Sequence, residues 1–345
     1  MAGTAGLVVL IAAAATAVSA FVVFPLLRKG GIVDVPSHRS SHSEATVRGG
    51  GVAIGAGITV ATVFAAITVF AEHGVLGLGS NLMPLAFLVL TWCYSAIGMA
   101  DDLDSLQPLG RLFGQVVIAV VFSACIALFS THGIAHVLAF AVIGVGLVNA
   151  VNFVDGLNGF LCSWTIVTGG WYAVVGLTID DADIVVVSLA LAGAALGFLP
   201  FNLGRAKAFL GDTGSYGIGG AVFVIAVWMF ILGVPIVVIV APMIFILFDV
   251  GMTLVRRLFQ GENIFLPHRT HIYQRIQQAG WSHERVSLLH ACLTVIACVL
   301  AVPTLVDGNS LGTYPSHVFW VVLLGFYVVL PIWLTKRNSV EVVTA

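Results

Sequence analysis

The segment Phe209-Leu210-Gly211-Asp212-Thr213-Gly214-Ser215 sets a carboxylate, two hydroxyls and two glycines where a polar stretch, Asn202 to Lys207, meets the apolar run Tyr216 to Leu232. A carboxylate at the mouth of a hydrophobic helix is costly to desolvate, so it faces a water-filled cavity and carries function. The glycines let the backbone bend closely, the hydroxyls cap the next helix, and freed N–H groups there hold an anion. A plain helix cap is the competing explanation for Asp212.

Three further groups belong beside it. Asp101-Asp102-Leu103-Asp104 packs three acids into four residues, and these repel one another unless a cation sits among them. Asp180-Asp181-Ala182-Asp183 repeats that density, so density alone proves nothing; direct abutment on an apolar run sets Asp101-Asp102 apart. Asn149 and Asn152 are three residues apart and share a helix face, with Asp155 following. These side chains are expensive in lipid-compatible sequence without polar partners, as here or in a transporter cavity. The fourth group, Pro267-His268-Arg269-Thr270-His271-Ile272-Tyr273-Gln274-Arg275, lies in a basic loop and suits phosphate better than zinc. His283-Glu284-Arg285-Val286-Ser287 lacks the second histidine of a zinc-protease helix. There is no serine elbow, Walker loop or dinucleotide fingerprint. Asp249, two turns before Arg256-Arg257, is expected to brace those arginines, since buried charges are paired.

The elements that position these groups are membrane helices. Of 345 residues, 59% are hydrophobic and 9% charged, against roughly 25% charged in soluble domains. The five cysteines lie in apolar segments without a CxxC pair and read as packing residues. No basic face suits nucleic acid. Apolar windows of about 20 residues predict eleven helices: 6–27, 50–71, 82–100, 112–130, 135–151, 157–176, 184–200, 214–233, 236–256, 285–305 and 317–335. The expected fold is an all-α polytopic bundle of 10–11 spans, one transmembrane domain over 1–345.

With the N-terminus outside and the first segment retained rather than cleaved, all 14 Lys and Arg residues fall on or beside cytoplasmic segments, as the positive-inside rule requires. The C-terminus is then cytoplasmic. The polar groups, apart from the Asp180–Asp183 loop, gather on that same side, in loops 28–49, 101–111, 152–156, 201–213 and 257–284.

With these groups assembled, the chain resembles the polyprenyl-phosphate N-acetylhexosamine-1-phosphate transferases. Residues 30 to 290 carry the resemblance, in five motifs: Asp34-x-Pro36-x-x-Arg39-x-x-His42 with Arg48-Gly49-Gly50; Asp101-Asp102; Asn149-x-x-Asn152-x-x-Asp155-Gly156; Asn202 to Gly211-Asp212-x-Gly214-Ser215; and Arg269-x-His271. It implies transfer of a sugar-1-phosphate from a UDP-N-acetylhexosamine to undecaprenyl phosphate at the cytoplasmic face of a bacterial inner membrane, releasing UMP. The product would begin a lipid-linked cell-wall glycan or lipopolysaccharide O-antigen unit. It implies Mg²⁺, with Mn²⁺ as a substitute, held by Asp212 with Asp101 and Asp102 nearby as ligand, base or nucleophile, and it places His271 with these three acids among the catalytic groups. Arg39, His42, Arg48, Asn149, Asn152, Asp155, Lys207, His268 and Arg269 would be substrate contacts. Phe209 would stack on uracil and Asn202 line the nucleotide pocket.

Phosphoryl transfer rests on alignment and charge neutralisation. A phosphomonoester acceptor with a second pKa near ~6 is already dianionic, which favours direct attack over a phospho-aspartate. Family members commonly carry His-x-His-His where this chain has His271-Ile272-Tyr273-Gln274, and the muramoyl branch has Asp where this chain has Asn158. Asn158 argues against a peptidoglycan precursor, and the Tyr-Gln variant resembles the O-antigen or capsule branch, with UDP-GlcNAc as the default donor and 6-deoxy amino sugars as variants. A homodimer is compatible with the family. The rival class is a lipid-linked sugar flippase or secondary transporter, which would place polar residues at mid-membrane on broken helices.

Overall fold

The computed structural model describes residues 2–35, 45–73, 82–129, 133–263, 266, 268–308 and 314–344. Among the described residues eleven helical spans are long and apolar enough to cross a membrane, matching the number read from the sequence. The chain is an all-helical, polytopic membrane protein, and among the described residues one short two-stranded ribbon lies beside the bundle.

In chain order the elements are α1 (Ala2–Lys29), β1 (Val33–Asp34), β2 (Thr46–Val47), α2 (Gly51–His73), α3 (Leu82–Leu103), α4 (Pro108–Phe129) and α5 (Ile134–Phe153). Then come α6 (Phe160–Thr178), α7 (Ala182–Asn202), α8 (Gly211–Ile231), α9 (Ile236–Val240), α10 (Ile244–Phe259), α11 (Ile272–Gln278), α12 (His283–Asp307) and α13 (Tyr314–Thr344). The ribbon pairs Val33 with Val47 and Asp34 with Thr46, antiparallel, and Val47 bridges to Ala208. That bridge ties the α1–α2 connection to the α7–α8 connection.

Helix α8 is the axis of the bundle. Every residue from Thr213 to Ile225 is buried, and α3, α5 and α2 pack around it. A helix apolar on all sides is stable only when enclosed, and close helix approach in a membrane requires small residues. Gly98 of α3 meets this need, because a Cβ there would collide with the backbone of Asp212 and Thr213.

The span expected as one helix over 236–256 is broken. Ala241–Met243 forms a 3₁₀ turn between α9 and α10, centred on Pro242. Proline has no N–H, so the Val238 carbonyl loses its helical donor. In a membrane such a group must find a partner within the protein. Three donors from α6 supply the need: Trp171 Nε1 reaches Val238 O at 2.8 Å, Tyr172 Oη reaches Ile239 O at 2.9 Å, and Trp164 Nε1 reaches Pro242 O at 2.7 Å. The sequence reading also missed α11, which folds within the stretch 257–284.

The spans alternate in direction. The C-terminal ends of α1, α3, α5, α7 and α10 therefore meet the N-terminal ends of α2, α4, α6, α8 and α12 at one face of the bundle. Hydrogen bonds knit that face together, from Thr213 Oγ1 to Asp102, from Asn152 to Ser215, and from Tyr273 Oη to the Phe153 carbonyl. The opposite acidic loop has a local job: Asp181 caps α7 by accepting from Ile184 N.

Candidate active site

The first turn of α8 shows how this face is built. The leading N–H groups of a helix lack partners and need an outside acceptor. Leu210 stands at the N-cap with no side-chain acceptor, and Gly211 takes the left-handed φ of +70° that brings the chain round. Asp102, at the end of α3, supplies the acceptor instead. Its Oδ1 accepts from Asp212 N at 3.0 Å, and its Oδ2 accepts from Thr213 N at 3.0 Å and Thr213 Oγ1 at 2.7 Å. Arg48 Nε lies 2.6 Å from Asp102 Oδ1, and the Asp102 side chain has no exposed surface. The sequence reading left Asp102 as ligand, base or nucleophile; in the fold protein donors occupy both of its oxygens, and it serves as a helix cap lent by a neighbouring helix.

Asp212 is more open. Arg48 Nη2 donates to its Oδ2 at 2.9 Å, Asn152 Nδ2 to its Oδ1 at 2.7 Å, and its side chain is 15% exposed. Asn152 also reaches Ser215 Oγ at 2.9 Å. Asp101 accepts from Leu106 N at 2.7 Å and from Arg111 Nη1 at 2.7 Å. Asp101 and Asp212 are neighbours whose charges act on each other. Two neighbouring carboxylates favour a proton or cation between them.

Among the described residues no three His, Cys, Asp or Glu side chains form a closed metal site. Magnesium does not require one, because it takes one or two carboxylates and completes its shell with water and substrate phosphates. The Asp101–Asp212 pair fits that ion by donor type and number. Arg48 serves as the protein's own cation here. Burial works against its charge, yet Asp212 and Asp102 outweigh that and hold its guanidinium above the ordinary value. Asp155, in the turn after α5, is driven the other way: burial, then the Asp212 and Asp102 charges, push its carboxyl well above the usual range.

Beside these acids opens a cavity of about 440 Å³. Its polar wall is Arg111, Asn149, Asn152, Tyr216, His268 and His271, and its apolar wall is Pro108, Leu112, Phe153, Leu254 and Leu266. Asn149 Nδ2 donates to Gln115 Oε1 at 2.6 Å and to the Val145 carbonyl. The His268 and His271 rings are 4.9 Å apart. Burial first, then the neighbouring His271, Arg257 and Arg256, lower the His268 pKa to about 4, so His268 is neutral at pH 7. A cavity with a basic and amide wall, an apolar wall and an adjoining carboxylate pair can hold a phosphorylated amphiphile.

Several expected residues sit elsewhere. Arg39 and His42 lie outside the described residues. Asn202 is buried, with Oδ1 accepting from Gly159 N at 2.7 Å and Nδ2 donating to Ala208 O at 3.0 Å. It joins two site loops rather than lining the cavity, because both ends of its amide are consumed by backbone. Arg269 lines a second, smaller hollow with Arg256 and Arg275. Phe209 is half-buried and Lys207 exposed; the Phe209 N–H donates to Val47 O and its carbonyl accepts from Gly50 N.

Asp249 corrects a sequence expectation. It does not brace Arg256 and Arg257, which bond to the Thr270 carbonyl and to Asn263 O and Glu262 respectively. Its carboxylate instead holds His271, Ile272 and Tyr273. Arg111 and Tyr216 were missed as cavity residues. Arg111 looked like one more cytoplasmic charge, and its pairing with Asp101 needs the turn between α3 and α4 to fold first.

Comparison with known proteins gives an independent result. The model of glycosyl transferase family 4 matches residues 84–230. The chain is 32% identical over 345 aligned positions to a decaprenyl-phosphate N-acetylglucosaminephosphotransferase of Mycobacterium leprae (strain TN), covering 89% of this chain and 85% of that protein. It is 33% identical to the protein of the same description from Mycolicibacterium smegmatis, over 75% of this chain and 72% of the relative. A phospho-N-acetylmuramoyl-pentapeptide-transferase of Clostridium botulinum (strain Eklund 17B / Type B) is 29% identical, over 60% of this chain and 69% of the relative.

Proposed function

The chain belongs to glycosyl transferase family 4, as a polyprenyl-phosphate N-acetylhexosamine-1-phosphate transferase, and from that premise we propose that it moves N-acetylglucosamine-1-phosphate from UDP-N-acetylglucosamine to undecaprenyl phosphate, releasing UMP. The observation that carries this reading is the carboxylate pair Asp101–Asp212 opening beside one cavity with a cationic and amide wall and an apolar wall. The relatives described as N-acetylglucosaminephosphotransferases favour that sugar. The product would start a cell-envelope glycan such as an O-antigen unit.

Catalysis lies on the cytoplasmic face of the bacterial membrane in this proposal. The support is the basic residues: Arg28, Lys29, Arg48, Arg111, Arg205, Lys207, Arg256 and Arg257 all belong to the loops and helix ends of the site face, the side that positive charge selects.

Asp212 and Asp101 would hold Mg²⁺, which neutralises the donor diphosphate and lowers the cost of gathering negative charge there. The protein's own groups do the rest. Asn152 and Arg48 fix the Asp212 carboxylate from two sides, so it does not rotate as the donor arrives. Arg111, held by Asp101 at 2.7 Å, presents a guanidinium at the cavity wall for a phosphate oxygen. The apolar wall accepts the first isoprene units and keeps water from competing with the acceptor.

Reaction by direct attack of the acceptor phosphate on the β-phosphorus of the donor has two supports. Both oxygens of Asp102 are spent on α8 and Arg48, and both oxygens of Asp101 are engaged by Leu106 N and Arg111. Four donors fill the lone pairs of Asp102, which is therefore not free to act as a nucleophile, whereas Asp101 keeps one lone pair on each oxygen, enough for a cation. The acceptor needs little help, since a phosphomonoester is mostly dianionic at neutral pH.

The decisive assay is UMP release by detergent-purified protein given undecaprenyl phosphate and a panel of UDP-N-acetylhexosamines. The expected result is lipid-dependent UMP release, fastest with UDP-N-acetylglucosamine. Flux of lipid-linked sugar across vesicles with no UMP would replace the reading with a transporter.

A further inference from the structure

Asp249 is 1% exposed, lies on α10, and takes no part in the chemistry described above. Five polar groups converge on it: Thr253 from its own helix, His271, Ile272 and Tyr273 from the start of α11, and Tyr327 from α13. Its Oδ1 faces Ile272 N at 2.8 Å, His271 Nδ1 at 3.2 Å and Thr253 Oγ1 at 3.3 Å; its Oδ2 faces Tyr327 Oη at 3.0 Å and Tyr273 N at 3.1 Å. Each oxygen takes an obligate backbone donor, Ile272 N on Oδ1 and Tyr273 N on Oδ2, and the Thr253 and Tyr327 hydroxyls are free to donate as well, a surround that suits the ionised acceptor. Facing such a carboxylate, Nδ1 of His271 is the ring nitrogen that carries the hydrogen.

We infer that Asp249 is a positioning residue for His271: it fixes the imidazole with Nδ1–H turned inward and leaves Nε2 as the cavity-side nitrogen, which gains a proton and donates to a phosphate oxygen when the anionic substrate binds. This deepens the proposed function and rests on it for the identity of the anion. The geometry itself belongs to the protein alone.

The alternatives are narrow. With the Nδ1 hydrogen fixed, a neutral His271 offers the cavity an acceptor and no donor, which repels a diphosphate. A doubly protonated His271 lies between two anions, the carboxylate behind and the phosphate in front, and that arrangement favours the cation. Asp249 thus supplies the counter-charge that makes His271 a charge-assisted donor. Tyr327 Oη and the N–H groups of Ile272 and Tyr273 keep the carboxylate ionised and pointing at the ring. Of the rings in contact with His271, Tyr273 stacks at 5.8 Å and Phe153 lies at 6.3 Å, so its plane is held as well as its edge. The Asp249 carboxylate also joins three parts of the chain that sequence alone leaves unrelated: α10, the start of α11, and α13.

The first test uses wild-type protein and ¹⁵N-histidine NMR in nanodiscs, with His271→Gln to assign the signal. Without substrate the expected spectrum has Nδ1 protonated and Nε2 bare; with UDP-N-acetylglucosamine both nitrogens become protonated. An Nε2-protonated neutral ring would overturn the inference, as would a ring that stays neutral in the complex.

The second test is kinetic. Asp249→Asn is expected to lower kcat/KM by roughly 10- to 100-fold, the scale for losing the partner that orients a functional histidine. In a His271→Gln background the same substitution should cost no more than about twofold, the non-additivity of coupled neighbours. Independent losses that multiply in the double variant would show that Asp249 supports the fold alone. If the wild-type protein bound UDP-sugar with the expected ring protonation yet turned nothing over, the proposed reaction would fail while this inference stood.

Discussion

Asp102 of α3 accepts hydrogen bonds from both the backbone N–H and the Oγ1 of Thr213, a residue 111 positions later at the start of α8. Asp249 does the same work for α11, accepting from Ile272 N and Tyr273 N. In both places a buried carboxylate on one helix caps another: α8 has no side-chain acceptor of its own, and in α11 Gln274 takes only the His271 N–H, leaving the next two to Asp249. The two caps flank the cavity and fix the two elements that carry Asp212 and His271.

Asp102→Ala should therefore act on stability first. It strands the Asp212 and Thr213 N–H groups and takes one of two partners from Arg48, and each buried donor left without an acceptor costs about 1–3 kcal/mol. A large drop in detergent melting temperature and a loss of monodisperse protein are the expected measurements. Unchanged melting with lost turnover would instead make Asp102 a direct participant in the chemistry.

Asp212→Ala should do the reverse. The α8 cap stays in place, and Arg48 keeps Asp102 as its partner. Melting temperature should remain near wild type while UMP release falls by on the order of 10²–10³-fold, the scale for removing one group that stabilises transition-state charge. Turnover near the wild-type rate would remove Asp212 from the metal assignment.

Trp171→Phe leaves the Val238 carbonyl, freed by Pro242, without its donor. The expected cost is about 1 kcal/mol, typical of side-chain hydrogen bonds between membrane helices. UMP release should be unchanged, because the break lies away from the cavity. Thermal denaturation in nanodiscs beside steady-state kinetics separates the two effects.

His268 gives a pH test. Its pKa in the folded protein is lowered from about 6.5 to about 4, so between those values the unfolded chain binds more protons than the folded one. Stability then rises with pH across that window and is lost as pH falls from 6.5 toward 4. His268→Gln removes this contribution, and the melting temperature should fall less steeply on acidification than in wild type. Parallel pH profiles for the two proteins would rule out burial of a neutral His268.

The sequence by itself determined the number of spans and the grouping of polar residues. Both follow from local composition, since a bilayer demands about 20 apolar residues for each crossing and strongly disfavours stray charge within it. Asp212 and Asn152 were legible as candidates for that reason, and Arg48 only through the family resemblance. Tertiary structure decided what each acid does. Asp101 and Asp102 are adjacent, yet one faces Arg111 and Asp212 while the other is buried as the cap of α8. Asn202 proved to be a joint between loops, and Asp249 turned away from its nearby arginines to His271 and α13. A carboxylate's role depends on which donors reach its oxygens, and here those donors come from helices far away in sequence, brought close by glycine contacts that spacing along one chain does not reveal.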